Sequence, residues 1–173
     1  MDQKLSLKFL DQCGFLLMMT LCYTWFKRGS GKQFKIPTRW GSQGKINLIG
    51  TYCLYGDQEQ LEYRELSGTC KQDQVIAYLD RLALKCDPKK LTVVVLDNAT
   101  FHKGTALKAC RAGWEARGLF LRYLPAYCPF LNLIEGVWRK VKGFLMPRRC
   151  YNSVVELREA LLVALKALHG VEL

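Results

Sequence analysis

The chain has 173 residues, half of them hydrophobic, 12% aromatic and 24% charged, a balance that excludes a disordered or fibrous protein and predicts one compact domain able to build its own core. Twenty-six Lys and Arg against fifteen Asp and Glu leave a formal charge of +11, concentrated in two acid-free segments. One runs from residue 24 to 45 with Lys27, Arg28, Lys32, Lys35, Arg39 and Lys45, and the other from 136 to 149 with Arg139, Lys140, Lys142, Arg148 and Arg149. Such patches suit a polyanion such as nucleic acid, because each neutralised phosphate releases counterions; a basic surface kept for solubility is the plainer reading of the same charge.

The eight cysteines are scattered, and no two share a C-x(2-4)-C spacing. A zinc site needs such close pairs, and only two histidines are present to complete one, so buried reduced thiols and a reducing cytoplasm are expected. The uncharged run Gly14 to Trp25 is shorter than the roughly 20 apolar residues of a membrane span, and Asp11 and Lys27 bracket it badly for a secretion signal. It reads as buried strand, with no membrane partner.

In chain order, Leu5, Leu7 and Phe9 alternate as a strand ending near Asp11, and Gly14 permits a turn into a second strand over 15 to 26. Lys45 to Tyr55 is a third strand and Leu61 to Glu65 a shorter one. Asp73 is placed to cap a helix whose apolar residues repeat from Val75 to Cys86, stopped by Asp87 and Pro88. Three valines and a leucine at 93 to 96 form a strand buried on both faces, delivering Asp97 to its end. Thr105 to Ala116 is a helix, Leu119 to Leu124 a strand, and Ile134 to Leu145 a helix closed by Pro147. Ser153 and Glu156 form a capping box for the last helix. The order implies an α/β fold, a mixed sheet of three antiparallel strands followed by parallel ones, with helices on both faces.

Open α/β sheets place ligands at the C-terminal edge of their strands, where Asp97 emerges. Taken singly, Asp97 and Asp11 also read as turn residues. Glu135 likewise reads as the third residue of a helix capped by Asn132, with Arg139 as its ion-pair partner. As a set, three carboxylates at two strand ends and a helix start repel one another unless cations lie between them, and oxygen ligands without His or Cys select Mg²⁺ or Mn²⁺. Two such ions serve in-line displacement at phosphorus.

The stretches VVVLDNATFHKG (93 to 104) and LFLRYLPAYCPFLNLIEGVWRKVKGFL (119 to 145) closely resemble the DDE transposases of bacterial insertion sequences in the mariner-like superfamily. The family's Asp-Asn-x-x-x-His segment is matched by Asp97, Asn98 and His102. Its Leu-Pro-x-Tyr-x-Pro-x-Leu-Asn-x-Ile-Glu segment is matched by Leu124 through Glu135. The family's first acid matches Asp11, followed by Trp25 and Gly29, and 37 residues separate Asp97 from Glu135, similar to the family's spacing between its last two acids. The resemblance implies an RNase H-like DDE catalytic domain over residues 1 to 173, with Asp11, Asp97 and Glu135 as catalytic acids and ligands of two Mg²⁺ or Mn²⁺ ions.

It further implies cleavage of double-stranded DNA at transposon ends and strand transfer into a target. Residues Lys27, Arg28, Lys32, Lys35, Arg39, Arg139, Lys140 and Lys142 are the expected DNA contacts. Asn98 and His102 are auxiliary candidates, His102 as a metal or phosphate ligand or as a structural hydrogen-bonder. Gln12, Cys128 and Leu133 depart from a commoner Glu, Ser and Pro. The family's helix-turn-helix region is not expected within this chain, which leaves room for a separate helix-turn-helix chain, a homodimer and a nucleoid location. Two other readings stay open: a nuclease or resolvase on the same fold, and a non-catalytic DNA-binding remnant.

Overall fold

The computed structural model describes residues 5–18, 28, 44–55, 60–125 and 128–173. One six-stranded sheet runs through them in the order β5-β4-β1-β2-β3-β6, formed by Leu5–Leu16 (β1), Lys45–Tyr55 (β2), Gln60–Leu66 (β3), Leu91–Leu96 (β4), Leu119–Tyr123 (β5) and Val171–Glu172 (β6). The first three strands form an antiparallel meander, while β4 joins β1 and β5 joins β4 in parallel. The parallel additions arrive through helices α1 (Gln72–Leu84) and α2 (Thr105–Glu115), as crossover connections must. Two further helices follow, α3 (Ile134–Lys140) and α4 (Val154–Lys166).

Strand alternation divides the core between the two faces of this sheet. Leu10, Ile49, Val94, Leu96 and Leu121 meet Val75, Tyr78, Leu79 and Leu82 of α1 and Leu107 and Trp114 of α2. Phe9, Cys13, Phe15, Ile46, Leu48 and Leu61 meet Ile134 and Trp138 of α3 and Leu157, Leu161 and Leu165 of α4. The expected mixed sheet with helices on both faces is therefore the one observed.

Several boundaries differ from those the sequence predicts. The first strand does not turn at Gly14; it pairs with β2 as far as Leu16 opposite Lys45. Phe15 and Leu17 continue the inward alternation of Phe9 and Cys13, and their burial outweighs the turn preference of one glycine. The remainder of the predicted second strand, residues 19 to 26, lies outside the described residues. Helix α1 begins after Lys71, whose N–H donates to the Gln74 side chain at 2.9 Å, so Asp73 sits in the first turn rather than at the cap. The predicted helix to Leu145 is α-helical only to Lys140 and continues as a π-helical turn over Val141–Leu145. Ser153 caps α4 as expected by accepting from Glu156 N–H, while the Glu156 carboxylate accepts from Asn152 N–H, one residue earlier than a capping box requires. No disulfide joins any two of the described cysteines, Cys13, Cys53, Cys70, Cys86, Cys110, Cys128 and Cys150. Among the described residues no helix is long and apolar enough to cross a membrane.

Gly50 determines where α3 docks. It pairs with Asp11 on one side and Tyr63 on the other, and a Cβ there would stand 2.9 Å from the Glu62 carbonyl and 3.0 Å from the Trp138 ring. The indole thus lies on the bare spot of the sheet beside Asp11, and its edge meets the Phe15 ring at a centroid distance of 6.3 Å. Gly50→Ala is therefore expected to destabilise the fold by about 1–3 kcal/mol through overpacking, although the same change at an open strand position would stabilise it. Denaturant unfolding measures this, and a variant as stable as the parent would show that Trp138 yields the space.

Candidate active site

Beyond the pair formed by Phe9 and Val95 the β1–β4 ladder ends among the described residues, and the two strands part. Asp11 lies on one side of this opening, two residues past the last pair, and Asp97 follows the end of β4 on the other. Where the ladder stops, the buried Asn132 side chain takes over: its Nδ2 donates to the Leu10 carbonyl at 3.1 Å. Asn132 is therefore no side-chain cap for α3; its amide holds the chain entering that helix against β1. Glu135, the second residue of α3, is thereby carried to the same opening, and among the described residues no ion pair links it to Arg139.

The electrostatics record this convergence. Burial, with the charges of Asp97 and Glu135 adding to it, pushes the Asp11 carboxyl up to about 7. Asp97 moves the other way, held below its ordinary range chiefly by a hydrogen bond from His102, with further help from Ala99 N–H at 3.0 Å and the nearby Lys103 charge. Among the described residues no three His, Cys, Asp or Glu side chains already enclose a point where an ion would sit.

His102 lies behind Asp97, fully buried at the end of a 3-10 turn, Thr100–His102. Its Nδ1 is 2.6 Å from Asp97 Oδ1 and its Nε2 is 2.9 Å from Gln12 Nε2. An amide nitrogen only donates, so this arrangement puts the ring proton on Nδ1 and directs it at Asp97. Tyr123 Oη donates to the His102 carbonyl at 2.5 Å, and Asn98 Nδ2 donates to the Leu124 carbonyl, tying the loop after β4 to β5. Asn98 and His102 thus brace Asp97 from behind.

Of the expected DNA contacts, Arg28, Arg139 and Lys140 are exposed, and Lys142 is half-buried with its Nζ 5.3 Å from the Phe15 ring centroid. Lys27, Lys32, Lys35 and Arg39 lie outside the described residues, as do Trp25 and Gly29. Gln12, Asn132 and Lys103 were not among the expected site residues. Strand alternation alone signals Gln12, because a neighbour of Asp11 must face the opposite side of the sheet, where His102 lies. A cavity of about 500 Å³, lined in part by Ser6, Lys8, Cys53, Glu62, Cys86 and Thr92, opens at the other end of β1 and β4 and includes none of the three acids.

The model of the DDE superfamily endonuclease family matches residues 6–158, a span that contains all three acids. The chain belongs to that family. No curated protein sequence matches it. The DDE fold is shared with the Mos1 strand transfer complex, at 15% identity over 96% of this chain and 51% of that one with a TM-score of 0.61. It is shared also with the Mos1 mariner paired-end complex with Mn, at 16% identity over 96% and 52% with a TM-score of 0.58. A simian T-cell lymphotropic virus intasome in complex with PP2A regulatory subunit B56 gamma gives 11% identity over 92% and 46%, with a TM-score of 0.56. This DDE chain thus spans about half the length of the chains it resembles.

The raised Asp11 carboxyl sets a pH dependence. The folded state holds that proton up to about 7 while the unfolded chain releases it near 3.8, so without metal the Asp11 contribution to stability falls as pH rises between these values and stays low above them. Asp11→Asn is expected to match the parent at pH 4 and to unfold at a higher temperature at pH 8, both in chelator. Equal melting temperatures for the two proteins at pH 8 would mean that Asp11 ionises as in open solvent.

Proposed function

We propose that this chain is the catalytic domain of a DNA transposase, cutting double-stranded DNA at transposon ends and joining the freed ends to a target. The reading is supported by a half-buried Asp11 whose neighbours at one sheet edge include Asp97 and Glu135, in a chain that the DDE superfamily endonuclease model matches over residues 6–158. A fold that spends stability on gathering three acids, inside a chain of net charge +11, is suited to a cationic cofactor and a polyanionic substrate. The Mos1 chains of like fold come from strand transfer and paired-end complexes, which supports DNA as the substrate and a pair of chains as the working unit.

The all-oxygen donor set fits Mg²⁺ or Mn²⁺, with Asp11, Asp97 and Glu135 as the ligands. Two such ions, when bound, would activate a water or a 3′-hydroxyl oxygen and neutralise charge on the leaving oxygen. The protein's own part is positional. His102 and Ala99 N–H occupy Oδ1 of Asp97, which fixes the carboxylate and leaves Oδ2 for a ligand. Asn132 holds Glu135 near Asp11, and Arg139, Lys140, Lys142 and Lys103 bear on the phosphate backbone without reading bases.

The test is nicking of supercoiled plasmid in Mg²⁺ or Mn²⁺, with little in Ca²⁺ and none in chelator, together with joining of an end bearing a free 3′-hydroxyl. Asp97→Asn is expected to abolish both reactions while leaving folding intact. His102→Ala should lower Mn²⁺ affinity by about 10- to 100-fold, measured by calorimetry, as loss of an orienting partner does. Nicking that persists in chelator would overturn the metal mechanism, and nicking without joining would make the chain a nuclease on this fold. Replacing Arg139 and Lys140 together by Ala should reduce the slope of log affinity against log salt by about 2 if each neutralises one phosphate.

A further inference from the structure

The turn that leads into α3 carries side chains that the fold leaves unused. Pro129–Leu131 is a 3-10 turn held by Leu131 N–H on the Cys128 carbonyl at 3.2 Å and Asn132 N–H on the Pro129 carbonyl at 2.8 Å. The Asn132 amide fastens it to Leu10 at 3.1 Å, one residue before Asp11. Within this fixed frame Phe130 is 75% exposed, Leu131 42% and Leu133 40%. Single exposed apolar residues are ordinary, whereas three among four successive positions, set rigidly beside a catalytic acid, form a knob. The family motif leaves position 130 open, where this chain has Phe, and at 133 this chain has Leu in place of a commoner Pro.

From the structure we infer that Phe130 is a wedge that enters the base stack of the DNA next to the scissile phosphate. This rests on the nuclease reading above and adds to it a residue that handles bases rather than phosphates. Phe130 is five residues from Glu135, so their Cα atoms are at most about 17 Å apart, comparable to the rise of about five base steps. Arg139 and Lys140, exposed on the helix that follows the turn, favour a polyanion over a protein partner here. Aromatic and aliphatic side chains inserted between base steps unstack them, and an aromatic face is indifferent to base identity. Opening the stack at that point lets the acids approach one strand.

The test uses the full chain in Ca²⁺ with a blunt duplex carrying 2-aminopurine at one of the first five positions, whose fluorescence rises on unstacking. The parent is expected to raise the signal severalfold at one or two positions, Phe130→Trp to retain the rise, and Phe130→Ala to lose it with an unchanged melting temperature. In Mn²⁺, Phe130→Ala should nick paired plasmid about tenfold more slowly than the parent but nick a mismatched bubble at the parent rate, because the mismatch is already unstacked. An undiminished fluorescence rise in Phe130→Ala overturns the proposal, as does equal loss of nicking on both DNAs. A change in sedimentation with no change on DNA would instead make the knob a contact between copies. A parent that unstacks DNA but nicks neither substrate would refute the nuclease reading and leave the wedge standing.

Discussion

The seating of α3 on the sheet is the contact on which the site depends. Asp11 is given by β1 and Asp97 by β4, but Glu135 belongs to an element that could settle elsewhere on the same apolar face. Two features remove that freedom: the Trp138 ring lies where Gly50 has no side chain, and Asn132 grips the Leu10 carbonyl. Both act within one or two residues of Asp11 or its cross-strand partner, so packing and catalytic geometry are set by the same few atoms.

Once assembled, the acids are not equivalent. Asp97 is half-exposed and supported by donors from its own loop, while Asp11 is half-buried and answers mainly to burial and to its neighbours' charge. At neutral pH Asp97 is therefore held ionised, while burial keeps the Asp11 carboxyl close to its protonated form.

Much of this could be read from the sequence because local and tertiary preferences agreed. Lys45–Tyr55 pairs on both edges, the strand before Asp97 buries Val94 and Leu96 on one face and partly buries Val93 and Val95 on the other, and the Ser153 hydroxyl caps α4 as its position suggests. Three of the misses share a cause, a partner distant in sequence. Gly14 reads as a turn until β2 pairs alongside it, and Asn132 reads as a cap until Leu10 offers a carbonyl 122 residues away. Gln12 reads as a departure from the family until His102, 90 residues on, is found against it. The two-residue β6 has too little pattern to announce itself, and its place is set by pairing with Glu62 and Tyr63.

The central position of β1 also bears on how the chain is made. Of the six strands described, β1 comes earliest in the chain, and it lies between β2, which follows soon, and β4, whose pairing residues begin at Leu91. A nascent chain can therefore form the β1–β3 meander early and hold it with one flank of β1 uncovered until much of the sequence has emerged. The acid set is completed later still, when Glu135 and the Trp138 anchor leave the ribosome. Fragments that end before that point carry basic residues but neither Glu135 nor the helix that seats beside Asp11, so the three acids come together only when the fold is nearly whole.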